Sequence, residues 1–236
     1  MTEEVARAAL VTGGSGDIGR AIAAKLAEMG YGVGLTGRSE ARLSEAREAL
    51  AAGGGRVETF VCDVTVEPDV DSLVERVSQT LSRIDVLVNA AGISDPGFIA
   101  RAPVQHWETM MRTNVIGTLI TCKAVLPVMR RQRSGHIINI GSLGAQQPRA
   151  GLAAYCASKA ALASMAGALR KESERAGVRV STIAPGPVDT RMHGAANPDA
   201  AKMIRPSDVA EAVAFLLRLS PTAIVPELSI FTAETF

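Results

Sequence analysis

The chain has 236 residues, 47% hydrophobic and 21% charged, a globular composition that fits one domain with a sizeable core. Its net charge of +1 supplies no bulk attraction to nucleic acid or to an anionic membrane, and no apolar run approaches the ~18 residues needed to span one. Only eight residues are aromatic, so Ala, Val, Leu and Ile must fill the core, and the excess of Arg over Lys, 20 to 5, reads as coding bias and not as a binding signal.

Short β-rich runs alternate with amphipathic stretches. Residues 8–12 read as a buried strand, 18–29 as a helix, 32–36 as a strand and 40–52 as a helix closed by Gly53-Gly54-Gly55. Residues 57–61 are a strand, 67–81 a helix, 85–88 a strand and 104–131 one long helix. Then come the strand 136–140, the helix 152–174, the strand 178–183, the helix 207–219 and a final strand at 228–231. Strict alternation predicts an α/β fold: a doubly wound parallel sheet of about seven strands with helices on both faces. No linker, repeat or low-complexity tract interrupts it, so a single domain over 1–236 is expected. In such a sheet ligands sit at the carboxyl ends of the strands, at the switch point.

The start, Met1 to Arg7, is acidic and polar and lacks the basic and apolar regions of a signal peptide. Cys62, Cys122 and Cys156 are odd in number and far apart, which suits small buried thiols in a reducing cytoplasm. No metal site is expected.

Thr12-Gly13-Gly14-Ser15-Gly16-Asp17-Ile18-Gly19 joins the first strand to the first helix. Glycines there permit a tight turn and close approach of backbone to a pyrophosphate, while the helix N-terminus offers unpaired N–H groups and positive potential. After the second strand comes Thr36-Gly37-Arg38-Ser39. A cofactor with a free 2′-hydroxyl needs an Asp or Glu at this place. A guanidinium instead suits a 2′-phosphate by charge and fork geometry, so Arg38 favours NADP(H) over NAD(H). An exposed Arg at a helix start is the plainer alternative.

Tyr155-Cys156-Ala157-Ser158-Lys159 places a phenol and an ammonium one helical turn apart on one face. A cation held beside a tyrosine favours the phenolate, so the pair predicts a Tyr155 pKa below ~10 and a phenol usable as acid and base.

These segments resemble the short-chain dehydrogenase/reductase family, whose phosphate loop reads T-G-x-x-x-G-x-G. Thr12, Gly13 and Gly19 match; Asp17 stands at the middle glycine, with Gly16 one place early. Asp tolerates unusual backbone angles and caps helices, so it reads as a tolerated variant that nevertheless puts an anion near a pyrophosphate. The resemblance implies a Rossmann fold and a set of cofactor contacts: Gly13, Ser15, Asp17, Ile18 and Gly19 in the loop, Arg38 and Ser39, Asp63 and Val64 at the adenine, and Asn89, Ala90 and Gly92 from Asn89-Ala90-Ala91-Gly92. For Asn89 a bracing role in the sheet is at least as good a reading. Pro185, Gly186, Val188 and Thr190 would line the nicotinamide, with Thr190 bonding its carboxamide.

Ser142 precedes Tyr155 by the family's spacing, and Asn114 stands where the family has its catalytic Asn. The resemblance therefore implies a catalytic set of Asn114, Ser142, Tyr155 and Lys159. Tyr155 would exchange a proton with the carbonyl oxygen, and Ser142 would hydrogen-bond that oxygen. Lys159 would lower the Tyr155 pKa and hold the nicotinamide ribose, and Asn114 would support a water that links Lys159 to solvent. Residues about 189–205 would form a substrate lid carrying Met192, His193 and Met203, with Phe98 and Leu143 to Gln146 as the opposite wall. His106 and His136 read as structural.

The reading is an NADP(H)-dependent oxidoreductase that interconverts a ketone or aldehyde and an alcohol, a homodimer or homotetramer through its two long helices. A 3-oxoacyl-thioester reductase is one alternative, since Arg130, Arg131, Arg133, Arg170, Lys171 and Arg175 offer a basic face to an acyl-carrier protein. The same cations also complement helix C-termini. The ending Val225-Pro226-Glu227-Leu228-Ser229-Ile230 departs from the acyl reductases and resembles members acting on small hydroxy acids or specialised metabolites. A non-catalytic NADP(H)-sensing protein is the second alternative, disfavoured because Tyr155 and Lys159 are both present.

Overall fold

Every residue of Ala8–Thr12 is buried, and alternate side chains enter opposite faces: Ala9 and Val11 one core, Ala8 and Leu10 another. A strand with two apolar faces needs helices on both, and the computed structural model, which describes residues 7–51, 56–193 and 200–233, has them. The strands are Ala8–Thr12 (β1), Gly32–Gly37 (β2), Val57–Val61 (β3), Val86–Asn89 (β4), Gly135–Ile140 (β5), Val178–Pro185 (β6) and Glu227–Ile230 (β7). All pairings are parallel, in the order β3-β2-β1-β4-β5-β6-β7. The helices are Asp17–Glu28 (α1), Glu40–Ala51 (α2), Glu67–Leu81 (α3), Val104–Met111 (α4), Thr118–Gln132 (α5), Ala153–Ser173 (α6) and Pro206–Arg218 (α7).

Leu26 of α1, Leu43 of α2 and Val213 of α7 close one face of the sheet. Leu73 of α3, Val125 of α5 and Leu169 of α6 close the other. This is the doubly wound Rossmann-type arrangement. Because β1 pairs with β2 on one side and β4 on the other, the chain leaves their carboxyl ends in opposite directions and opens a crevice there. Thr12 stands level with Thr36 and Asn89 at its floor.

Most element bounds fall within a residue or two of the sequence expectation; Pro206, for example, fits the first turn of α7 because its missing N–H is not needed there. One expectation is corrected. The stretch 104–131 is not one α-helix: Arg112–Gly117 between α4 and α5 forms a π-helical turn. Asn114 lies within it and is tied to the segment after β4: its Oδ1 accepts from the Ile93 N–H at 2.8 Å and its Nδ2 donates to the Ile93 carbonyl at 3.0 Å. Wide turns of this kind recur at functional sites.

The three thiols are buried and unpaired, and burial pushes Cys62 up to about 11 and Cys122 up to about 12. Among the described residues no helix is long and apolar enough to cross a membrane.

His136 is buried with its Nε2 2.9 Å from Ser181 Oγ, and burial, with the Arg179 charge, pushes its pKa down from 6.5 to about 3. The sign is clear: between those values the unfolded chain binds a proton that the native chain does not, so stability falls as pH falls through that window. His136→Asn removes the titration and is expected to move the acid-unfolding midpoint to lower pH, measured by circular dichroism. An unchanged midpoint would refute this.

Candidate active site

The crevice is a groove of about 580 Å³ along the strand ends, within the roughly 300–1,000 Å³ of small-molecule and cofactor sites. Its first lip is the β1–α1 loop. Gly13 has φ +66°, and a methyl group on it would lie 2.7 Å from the Ala90 carbonyl oxygen and Ala91 Cα, so only glycine lets the loop approach the end of β4. A methyl group on Gly19 would lie 2.3 Å from the Gly13 carbonyl oxygen. Gly16 caps α1 without a side-chain hydrogen bond, which leaves the first helical N–H groups to a ligand. Gly13, Ser15, Asp17, Ile18 and Gly19 all line the groove. These features fit the diphosphate of a dinucleotide.

Arg38, exposed just past β2, lines the same end with Asp63 and Val64. Burial pushes the Asp63 carboxyl up, but two hydrogen bonds from Thr65 and the charges of Arg38 and Arg112 outweigh it and hold the pKa below its ordinary value. Arg42 joins Arg38 here and was missed in the sequence; the signal was present, one turn along α2 on the same side, but an exposed helix cation carries no mark of its own. Ser39 does not reach the groove. Its Oγ accepts from the Arg42 N–H at 3.4 Å, at the start of α2.

Ala90 and Gly92 line the middle, and Asn89 does not. Its Nδ2 donates to Asn139 Oδ1 at 2.9 Å and its Oδ1 accepts from Thr121 Oγ1 at 2.7 Å, so the side chain braces β4 against β5 and α5 from within the core. Pro185, Gly186, Val188 and Thr190 form the second lip, where Gly186 N–H bonds the Ile230 carbonyl of β7 at 2.8 Å.

At the far end α6 presents Tyr155 and Lys159, with the ammonium 5.7 Å from the phenol ring centre. Ser142 reaches the phenol, and its Oγ accepts from the Gly144 N–H at 3.0 Å, which fixes the turn after β5. Asn114 meets the group from below: its Nδ2 donates to Ser158 Oγ at 3.0 Å, and that hydroxyl donates to the Tyr155 carbonyl at 2.7 Å. A methyl group on Gly92 would touch both Asn114 Oδ1, at 3.3 Å, and Lys159 Nζ, at 3.7 Å. The four residues therefore share one corner, although only Tyr155 and Lys159 line the groove itself.

The electrostatics differ from the sequence expectation. Burial pushes the Tyr155 pKa above 10.0; the Ser142 hydrogen bond opposes this without cancelling it, and Cys156 adds to it. The Lys159 Nζ donates to the Ile140 carbonyl at 2.8 Å, and burial lowers its own pKa to about 8. The phenol is thus held protonated beside a lysine that is still largely cationic at neutral pH.

Met192 lines the groove and is half-exposed, whereas Phe98 faces a separate, smaller hollow with Arg101, His106 and Trp107. His106 Nδ1 pairs there with Asp95. Gln146 is taken up by Glu227 at the start of β7. Residues 194–199 of the expected lid lie outside the described residues, and His193 is described in its backbone alone. Arg191, at the start of that segment, lines the groove and pairs with Asp17, a contact between residues far apart in the chain that no local pattern announces.

A phosphate loop, a crevice at the switch point and a buried tyrosine–lysine pair at its end make a combination that can be compared with known proteins. The sequence profile of the short chain dehydrogenases matches residues 7–201. An uncharacterized oxidoreductase of Staphylococcus saprophyticus is 41% identical over 231 residues, 98% of this chain and 99% of that protein. An actinorhodin polyketide ketoreductase variant solved with NADPH superposes with a TM-score of 0.90 at 30% identity, covering 98% of both chains. The closed form of a serine dehydrogenase with NADP+ superposes with a TM-score of 0.86 at 32% identity, covering 94% of this chain and 93% of that one. On sequence and fold alike, this chain belongs to the short-chain dehydrogenase/reductase family of oxidoreductases.

Proposed function

We propose that the protein is an NADP(H)-dependent carbonyl reductase that interconverts a ketone or aldehyde and an alcohol. The observation that carries this is the corner shared by Tyr155, Ser142 and Lys159 at one end of a groove whose other end presents Arg38. A nicotinamide bound in the groove supplies the hydride. The Tyr155 phenol, held protonated by burial, gives its proton to the carbonyl oxygen, or takes it back in the reverse direction. Ser142 donates a hydrogen bond to the same oxygen and stabilises its developing charge. Lys159 would hold the ribose hydroxyls of the bound cofactor, and Asn114 braces α6 and the loop after β4 around it. NADPH and NADP+ in the two structural relatives support the cofactor choice. Two or four copies joined through α5 and α6 complete the reading, in keeping with the exposed Leu119 on α5. Arg130, in turn, donates to the Glu172 carbonyl at the end of α6, which favours a helix-end role for that cation over an acyl-carrier face.

The decisive assay mixes the protein with NADPH and a panel of ketones and aldehydes and follows loss of nicotinamide absorbance. Turnover is expected; tight NADPH binding with no turnover of any carbonyl would favour the sensor reading. Arg38→Asp is expected to shift the affinity ratio from NADPH towards NADH by about tenfold or more, since it exchanges attraction for repulsion at a 2′-phosphate. Titration with both dinucleotides checks this, and an unchanged preference for NADPH would sink the assignment of Arg38.

A further inference from the structure

Asp17 sits where the family's phosphate loop has a glycine, and its partner lies on the opposite lip of the groove. The Arg191 backbone N–H donates to Asp17 Oδ2 at 2.9 Å, and Arg191 Nε–H donates to Oδ1 at 3.0 Å. Arg191 Nη2 lies 2.9 Å from Asp17 Oδ1 and also donates to the Ser15 carbonyl at 3.2 Å. The side chains keep 56% and 26% exposure for Arg191 and Asp17, so the pair lies at the mouth of the groove and not in the core. Burial pushes the Asp17 carboxyl up, but the Arg191 contacts and the charge of Arg20 outweigh it and hold the acid ionised.

The charges explain why such a pair is needed. A dinucleotide brings two phosphate charges to the loop in which Asp17 begins α1. A carboxylate there repels them, and the N-terminus of α1 offsets the repulsion only in part. A glycine poses no such problem and needs no partner. Arg191 returns the positive charge, and it does so through main chain and side chain together, which joins residues 185–192 to the phosphate loop. Among the described residues Nη1 has no partner, and its two N–H donors suit a phosphate oxygen.

We propose that Arg191 is a dinucleotide-binding residue made necessary by Asp17: it neutralises the acid in the phosphate loop and offers a donor to the diphosphate, while Asp17 positions it. The proposal rests on the reading of the groove as a dinucleotide site. It concerns the diphosphate, which NADPH and NADH share, and so is independent of Arg38.

The test is a binding titration of NADPH and NADH, followed by quenching of protein fluorescence or by calorimetry, on wild type, Arg191→Ala, Arg191→Lys, Asp17→Gly and the double variant Asp17→Gly/Arg191→Ala. Arg191→Ala is expected to weaken both dinucleotides about tenfold at low salt and less at high salt, because it leaves the carboxylate uncompensated. Arg191→Lys retains the charge and is expected to recover most of that loss. Asp17→Gly should bind as tightly as wild type or more tightly, and in that background Arg191→Ala should cost no more than about threefold. Equal losses from Arg191→Ala in both backgrounds, or no loss in either, would overturn the proposal. Failure of the wild-type protein to bind either dinucleotide would instead overturn the reading of the groove.

Discussion

Tyr155→Phe is expected to cut carbonyl turnover by about 10²–10⁴-fold, the usual worth of a positioned general acid, while dinucleotide affinity stays within about threefold. The substitution removes one hydroxyl from a buried side chain beside Ser142 and is expected to leave the ring's packing unchanged. In the proposed reaction, what is lost is the proton that meets the carbonyl oxygen, and Ser142 alone hydrogen-bonds that oxygen without protonating it. Single-turnover kinetics with NADPH, alongside a binding titration, separates the two quantities. A variant that keeps more than a tenth of wild-type turnover would remove Tyr155 from the proposed role. The same arrangement predicts a pH profile. The proposed reduction uses the protonated phenol and the Lys159 cation, and burial lowers the Lys159 pKa to about 8. Activity in the reductive direction is therefore expected to fall as pH rises through that value, and a flat profile from pH 7 to 9.5 would show that Lys159 is not titrating there.

Gly19→Ala is expected to abolish dinucleotide binding in practice, with an affinity loss of about 10²-fold or more, and to lower stability by about 1–3 kcal/mol, the ordinary range for overpacking. The added methyl group would lie 2.3 Å from the Gly13 carbonyl oxygen and 2.9 Å from its carbon, both backbone atoms. That carbonyl accepts from the Gly16 N–H at 2.9 Å, so it cannot retreat without opening the turn. Gly13 in turn is wedged against Ala90 and Ala91 at the end of β4. The clash is thus passed on to the floor of the groove, and relief comes only by tilting α1 away from the loop. Thermal unfolding and an NADPH titration read the two effects, and wild-type values for both would show that the loop has slack that its geometry does not suggest.

Much of this protein is written locally. Alternating apolar runs set the strands and helices, because a side-chain period of two or of 3.6 residues decides which face can be buried. That alternation implies the doubly wound sheet, and the crevice at its switch point follows from it. Gly13, Gly16 and Gly19 of the phosphate loop, Arg38, and the turn-apart pair Tyr155 and Lys159 are equally local, and each reaches the groove.

Other features depend on distance in space. At the π-helical turn the Asn114 carboxamide is held by both backbone groups of Ile93, a contact with no periodic signature. Asn89 and Ser39 carry the right residue types, yet packing directs one to Asn139 and Thr121 and the other to the start of α2. The Tyr155–Lys159 spacing predicts a lowered phenol pKa, but burial of the phenol outweighs the Ser142 hydrogen bond and reverses the direction. Asp17 is the clearest case. Its sequence neighbours show an acid in a phosphate loop, and only the folded chain brings Arg191 across the groove to compensate it. Local periodicity determines which elements form; charge and hydrogen-bond balance within a site is decided by residues that meet only once those elements have packed.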